Sequence, residues 1–280
     1  MKKLLSIALA LLMLAFVLTG CAKAKDAASQ AASDAVSDAV TAAENGDSAE
    51  AAKAAEAAVE DVQQNGADSD TASAFYSAYM QAKSDVLTPL MDALGNNPDT
   101  MMSTMSFFGV TMSDLYLLPA MYFGLGETSV ATALAMMGAK DVTYNEQGNQ
   151  YTVTYKDSND KTATLTGTYE KGKSLVTVGS TDGTENVFAE TYRTAFGYVG
   201  QFYIIADDGT ASLYQVAISG KDGVFGIVTG EPRPAPLTGN EPADFPKSAK
   251  EWYAISGNNV TGMTSDGKSI SFTYVPSESN

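Results

Sequence analysis

The residues able to do chemistry in this chain are few, and most are carboxylates. None of the 280 residues is a histidine, and Cys21 is the single cysteine. The missing imidazole removes the commonest general base, the usual zinc ligand, and the Ser-His-Asp and Cys-His nucleophile systems. Carboxylate-based hydrolysis, Ser-Lys chemistry and hard-cation binding survive. Asp157, Asn159 and Asp160 come closest to a calcium loop, but lack the glycine and distal glutamate of the helix-loop-helix motif. A hairpin turn accounts for them. Met101, Met102 and Met105 have a thioether spacing that suits copper(I). The same spacing is helical within an apolar run, so core packing or a deformable pocket wall is the better account. No metal or other cofactor is expected.

Glu190 alternates with Phe188 and Tyr192 on one strand face, and Arg193 falls on the other. If the Glu190 face is inward, its carboxylate sits against aromatic rings, and one of the two charges can anchor a ligand. If it is outward, both are surface residues with cross-strand partners. No second carboxylate has a spacing to Glu190 that predicts a glycosidase pair. Trp252-Tyr253 with Tyr198, Phe202 and Tyr203 suggests either an aromatic sugar platform or strand core, and aromatics in strands are more often core.

The stretch Leu18-Thr19-Gly20-Cys21 decides more than any of these. Lys2 and Lys3 precede an apolar run, Leu4 to Val17, broken only by Ser6. At about 14 residues it is too short to span a bilayer comfortably and fits a signal-peptide core. The small residues and the cysteine that close it resemble the lipobox of bacterial lipoproteins, over residues 1–21 alone. The resemblance implies cleavage before Cys21, a diacylglyceryl group on its thiol, and residence on the extracytoplasmic face of a bacterial membrane. Two acyl chains suffice for stable anchoring. The formal net charge of −16 argues against a nucleic-acid partner.

Residues 21–67 are rich in Ala, Ser, Asp and Glu, contain no aromatic residue, and have valine as their only large apolar type. Such a block cannot build a core and reads as a tether, with two marginal helices about Asp26–Glu44 and Ser48–Gln63. Residues 68–140 read as a helical layer. Ser69 or Asp70 caps a helix to about Leu94, with Phe75, Tyr79, Val86 and Leu90 on one stripe. Pro98 opens a second helix that ends near Gly109, Met112 to about Phe123 forms a third, and Thr128 or Ser129 caps a fourth that stops at Gly138. Seven methionines lie between Met101 and Met137.

From Val142 the hydrophobic period changes to two, and residues 141–280 read as an antiparallel sheet. The Asp-Gly pairs at 182–183, 208–209, 222–223 and 266–267 mark hairpin turns. Eight or more strands in such a meander tend to curl or close into a barrel. The fold class expected is therefore α+β: a helical layer followed by a large antiparallel meander, curled or closed. In general shape this resembles lipocalin-like and lipid-carrier lipoproteins, without the lipocalin Gly-x-Trp. Methionine adapts to variable shapes. The Met-rich layer is therefore expected to hold an apolar or amphipathic small molecule against the sheet, with Met105, Met112, Met121, Met136, Glu190 and Arg193 as contacts. The expected role is that of a non-catalytic binding lipoprotein. The alternatives are a structural or interaction lipoprotein without a pocket, and a carboxylate-dependent glycan hydrolase.

Overall fold

A computed structural model describes residues 71–275 except 137 and 207, and for Met112 and Met136 the backbone alone. The leader, Cys21 and the proposed tether lie outside the described residues.

The first helix, α1, spans Ala72–Asn96. Its cap is Thr71, whose hydroxyl accepts from the Ala74 amide at 3.2 Å, rather than Ser69 or Asp70. The expected stripe is buried, and Tyr76, Met80 and Lys83 are buried with it. The helix ends where the buried Thr100 hydroxyl donates to the Leu94 carbonyl at 2.9 Å, satisfying one of its last free acceptors.

The helices that follow differ from expectation. The chain makes a 3-10 turn at Met101–Met105, then α2 at Phe108–Tyr116, a second 3-10 turn at Leu118–Tyr122, and α3 at Glu127–Met136. The break before the second turn has a local cause. Pro119 has no amide hydrogen to donate to the Leu115 carbonyl, so the ladder of α2 cannot run through it, and it sits instead in the first turn of a new element.

Eleven strands follow in one antiparallel sheet. They are β1 Lys140–Gln147, β2 Gln150–Lys156, β3 Thr162–Glu170, β4 Ser174–Thr181, β5 Thr184–Arg193 and β6 Tyr198–Ile205. Then come β7 Ala211–Ser219, β8 Asp222–Thr229, β9 Glu251–Ser256, β10 Asn259–Met263 and β11 Ser269–Thr273. Each strand pairs with its neighbour in sequence, and the order runs from β1 to β11. β1 pairs with β2 alone and β11 with β10 alone, so the sheet is not closed into a barrel. The Asp182-Gly183 turn has positive φ at both residues (49° and 81°), as the hairpin reading requires. At the β7–β8 hairpin the left-handed residue is Gly220, not Gly223, because Asp222 is already paired with Ser219 in the ladder.

The two faces of the sheet have different covers. On one, Val153, Leu165, Ala189, Phe202, Val216, Phe225 and Tyr253 join the buried stripe of α1 and the residues Met121 to Phe123 in a single core. The contact is close: a Cβ on Gly167 would come 2.2 Å from the Phe123 ring, so a larger residue there would push the helical layer off the sheet. On the other face lie two smaller clusters, Phe188 with Tyr203 and Leu213, and Val199 with Ala217 and Leu237. Leu237 belongs to the proline-rich connection between β8 and β9, which crosses this outer face. No helix among the described residues is long and apolar enough to cross a membrane.

Candidate functional site

Between α1, α2 and the middle strands β5 to β8 lies a cavity of about 30 Å³. A volume of that size admits one or two water-sized groups and no acyl chain. Its helical wall is made by Tyr76, Tyr79 and Lys83 from α1 with Ser113, Asp114 and Leu117 from α2.

Lys83 sits on the apolar stripe of α1, at four residues from Tyr79, and faces α2. Its ammonium donates to the carboxylate of Asp114, with side chains only 6% and 15% exposed. Ser113, alongside, donates its hydroxyl to the Val110 carbonyl at 2.6 Å and lies 3.4 Å from Asp114. Burial pushes the Asp114 carboxyl above the ordinary carboxylate range, and the neighbouring Lys83 charge only partly offsets it. The Tyr76 and Tyr79 phenols are pushed up as well, first by burial and then by the negative charge of Asp114. The Tyr76 hydroxyl is buried and has no hydrogen-bond partner. The seam thus presents an ion pair and a free phenol donor within aromatic and aliphatic walls. With the lysine committed to a carboxylate, it is not a free base for Ser-Lys chemistry.

The residues expected to contact a ligand are dispersed. Met121 is 1% exposed and is a core residue; the hydroxyl of Ser73 donates to its carbonyl at 2.6 Å. Met105 is 68% exposed on the first 3-10 turn. The side chains of Met112 and Met136 lie outside the described residues. Arg193 is exposed at the end of β5. Glu190 borders the cavity and is buried, but its carboxylate is occupied: it accepts from the Gln201 amide at 2.6 Å and from the Leu237 backbone amide at 2.9 Å. The alternation along β5 places Glu190 with Phe188 on the face crossed by the proline-rich connection. It therefore holds that connection and leaves Asp114 as the carboxylate of the seam.

The remaining candidates resolve simply. Asp157 accepts from the amides of Asn159 and Lys161 at 2.8 and 2.9 Å, and Asp160 pairs with Lys140 at 3.3 Å, so both carboxylates serve the turn. Among the described residues no three of His, Cys, Asp and Glu converge as a metal site requires. The aromatics form no shared platform. Tyr253 is fully buried against Phe107 at 5.3 Å, Tyr198 packs edge-on to Phe75 at 6.1 Å, and Tyr203 lies in the outer cluster. Trp252 is half-buried under Lys247, 5.2 Å from its ring.

Sequence reasoning passed over Lys83, Asp114 and Tyr76. A signal for the pair was present. Lys83 interrupts an apolar stripe, and Asp114 is the single charged residue between positions 100 and 126. A lysine on a buried helical stripe and a carboxylate alone in apolar sequence have a strong reason to find one another. Compared with known proteins, the chain matches no family model, no curated protein and no solved structure.

Proposed function

We propose that this chain is a lipid-anchored, non-catalytic protein of the bacterial cell surface. It takes an amphipathic ligand into the seam between helical layer and sheet, with the ligand's polar group at Lys83 and Asp114. The observation that carries the reading is that buried ion pair among aromatic walls. A pair so placed adds little to stability compared with apolar residues of the same size. A polar ligand group supplies a reason for it, with the Tyr76 hydroxyl as a further donor.

The cavity in the seam is only about 30 Å³. Admission of an acyl chain or a ring system therefore requires α2 to lift from the sheet. The sheet curls about α1, which is supported by the reach of that one helix to β4, β7, β8 and β9. Anchoring rests on the lipobox-like leader, and Cys21→Ser is expected to abolish labelling by a palmitate analogue.

The test is a thermal-shift screen of the protein against fatty acids, sterols and bile-type amphiphiles. A ligand that binds only the folded state stabilises it by about 2.7 kcal/mol at a hundredfold excess over its dissociation constant. The double variant Lys83→Met with Asp114→Leu is expected to fold and to lose the shift. The small volume favours one alternative, an interaction lipoprotein without a small-molecule pocket. The absence of any shift across the screen would overturn the ligand reading in its favour. The glycan-hydrolase reading has no support, because Asp114 has no second free carboxylate beside it.

A further inference from the structure

The first 3-10 turn and α2 carry a row of apolar side chains that the fold leaves uncovered. Met101, Met102 and Met105 are 54%, 70% and 68% exposed, Phe108 is 69% exposed, and Tyr116 is half exposed. Met101, Met102, Met105 and Phe108 fall within eight residues on the 3-10 turn and the start of α2, and Tyr116 stands eight residues on, its ring 6.4 Å from that of Phe202. The sequence around them is nearly free of charge, although the exposed pair Asp99–Lys268 flanks the row at its start. Between positions 100 and 126 the only charged residue is Asp114, and it is turned inward to Lys83. A chain with a net charge of −16 thus holds a long stretch without exposed charge, and that stretch carries most of the exposed large apolar residues among those described.

We infer that this row is a lipid-docking surface, by which the folded part lies against the outer leaflet of a bilayer. Three observations favour lipid over a protein partner. The side chains come from a 3-10 turn and a short helix, and none of them lines the cavity described above. A bilayer interface accepts projecting Met and Phe without shape complementarity, whereas a protein interface requires a matched surface. The absence of charge suits a zwitterionic surface, and the acidic remainder of the chain is repelled from anionic headgroups. Finally, about fifty residues separate Cys21 from α1, a coil reach of roughly 35–40 Å. That length lets the row meet the same bilayer that a lipid on Cys21 would enter. The docking does not depend on the seam having a ligand.

The experiment uses the full chain reconstituted in phosphatidylcholine vesicles, with and without brominated acyl chains. Trp252→Phe removes the native indole, and a single tryptophan is introduced by Met102→Trp or Phe108→Trp. Asn145→Trp, on the exposed strand β1, is the control. The row positions are expected to show a blue-shifted emission and at least a twofold loss of intensity with brominated lipid, and the control neither. Adding Met105→Asp to the Phe108→Trp chain should remove most of the quenching. The thermal midpoint should stay within a few degrees, since both sites are exposed. The inference is overturned if the row and the control are quenched alike, or if neither is quenched. It is equally overturned by a blue shift that grows with protein concentration in the absence of vesicles, which assigns the row to contact between copies of this chain. The amphiphile screen is independent of all three outcomes.

Discussion

Glu190 on β5 and Gln201 on β6 stand directly opposite each other in the ladder, and together they fasten a loop that neither strand touches in sequence. The Gln201 amide group donates to Glu190 at 2.6 Å and to the Ala235 carbonyl at 3.0 Å, while Glu190 accepts from the Leu237 amide at 2.9 Å. Nearby, Arg233 pairs with Glu185 and lies 3.6 Å over the Phe188 ring. The proline-rich connection is thereby clamped across the outer face at two points.

Removing the carboxylate should release one of them. Glu190→Ala leaves two buried donors, from Gln201 and Leu237, without an acceptor, and a hydrogen bond to a charged group contributes about 1.5–3 kcal/mol. A loss of about 3 kcal/mol is expected in chemical denaturation, with faster proteolytic cleavage within residues 231–247. Glu190→Gln keeps an acceptor oxygen and should cost less than half as much.

The Lys83–Asp114 pair should behave as a unit. Lys83→Met strands a buried carboxylate, and breaking a buried pair in this way costs about 3–5 kcal/mol. Lys83→Met with Asp114→Leu removes both charges and should recover most of that loss. A double-mutant cycle in urea measures it.

The raised pKa of Asp114 has a pH signature. Its folded form holds a proton more tightly than the unfolded chain, where the ordinary value is 3.8. The stabilisation from that proton is complete below the ordinary value and is lost as pH rises through the folded value. Asp114→Asn cannot titrate. The stability of wild type relative to this variant should therefore fall as pH climbs through the range just above 3.8 and then level off. Asp208, Asp266 and Glu241 are held low by hydrogen bonds within their turns and work in the opposite sense. They are common to both proteins and cancel in the difference.

Gly109 is a point of forced contact. A Cβ there would lie 1.7 Å from the Tyr214 hydroxyl oxygen, so Gly109→Ala must displace either the ring or the start of α2. Overpacking of this kind costs about 1–3 kcal/mol. Pairing it with Tyr214→Leu should give a protein more stable than the sum of the two single losses predicts, by thermal or chemical melts.

Met121 gives a direct reading of the core. It is fully buried and does not line the cavity between α1, α2 and the sheet, so Met121→Trp should destabilise by about 2 kcal/mol or more, whereas Met121→Leu, close in volume, should cost under about 1.5 kcal/mol.

The sheet was legible almost strand by strand because two local signals agree in it. Tyr151, Val153 and Tyr155 alternate with threonines, and Asp182-Gly183 and Asp266-Gly267 place the turns. Strand β9 falls at Glu251–Ser256 as its period predicts. The helical layer was less legible, since 3-10 turns such as Leu118–Tyr122 differ from an α-helix only in bonding to the carbonyl three residues back rather than four, and short apolar runs do not separate the two. The site was the least legible part. Period two correctly separated Glu190 from Arg193, but which face meets the helices depends on contacts between residues far apart in sequence. The partner of Glu190, Leu237, lies 47 residues away. Lys83 and Asp114 are 31 apart, and only the place of Lys83 on an apolar stripe and of Asp114 in an otherwise uncharged stretch hinted at a meeting.

The sequential order of the sheet sets a schedule for folding. Each strand finds its mate one hairpin away, so the ladder can grow by short loop closures from β1 onward. Helix α1 emerges before any of them, yet its aromatic stripe is covered by β4 to β9, the last of which begins more than 150 residues later. The part made first is the part protected last. Until β9 arrives, a nascent chain carries an amphipathic helix covered only by the neighbouring 3-10 turns and the earlier strands, and this interval, more than strand pairing, is where a holding chaperone would be needed.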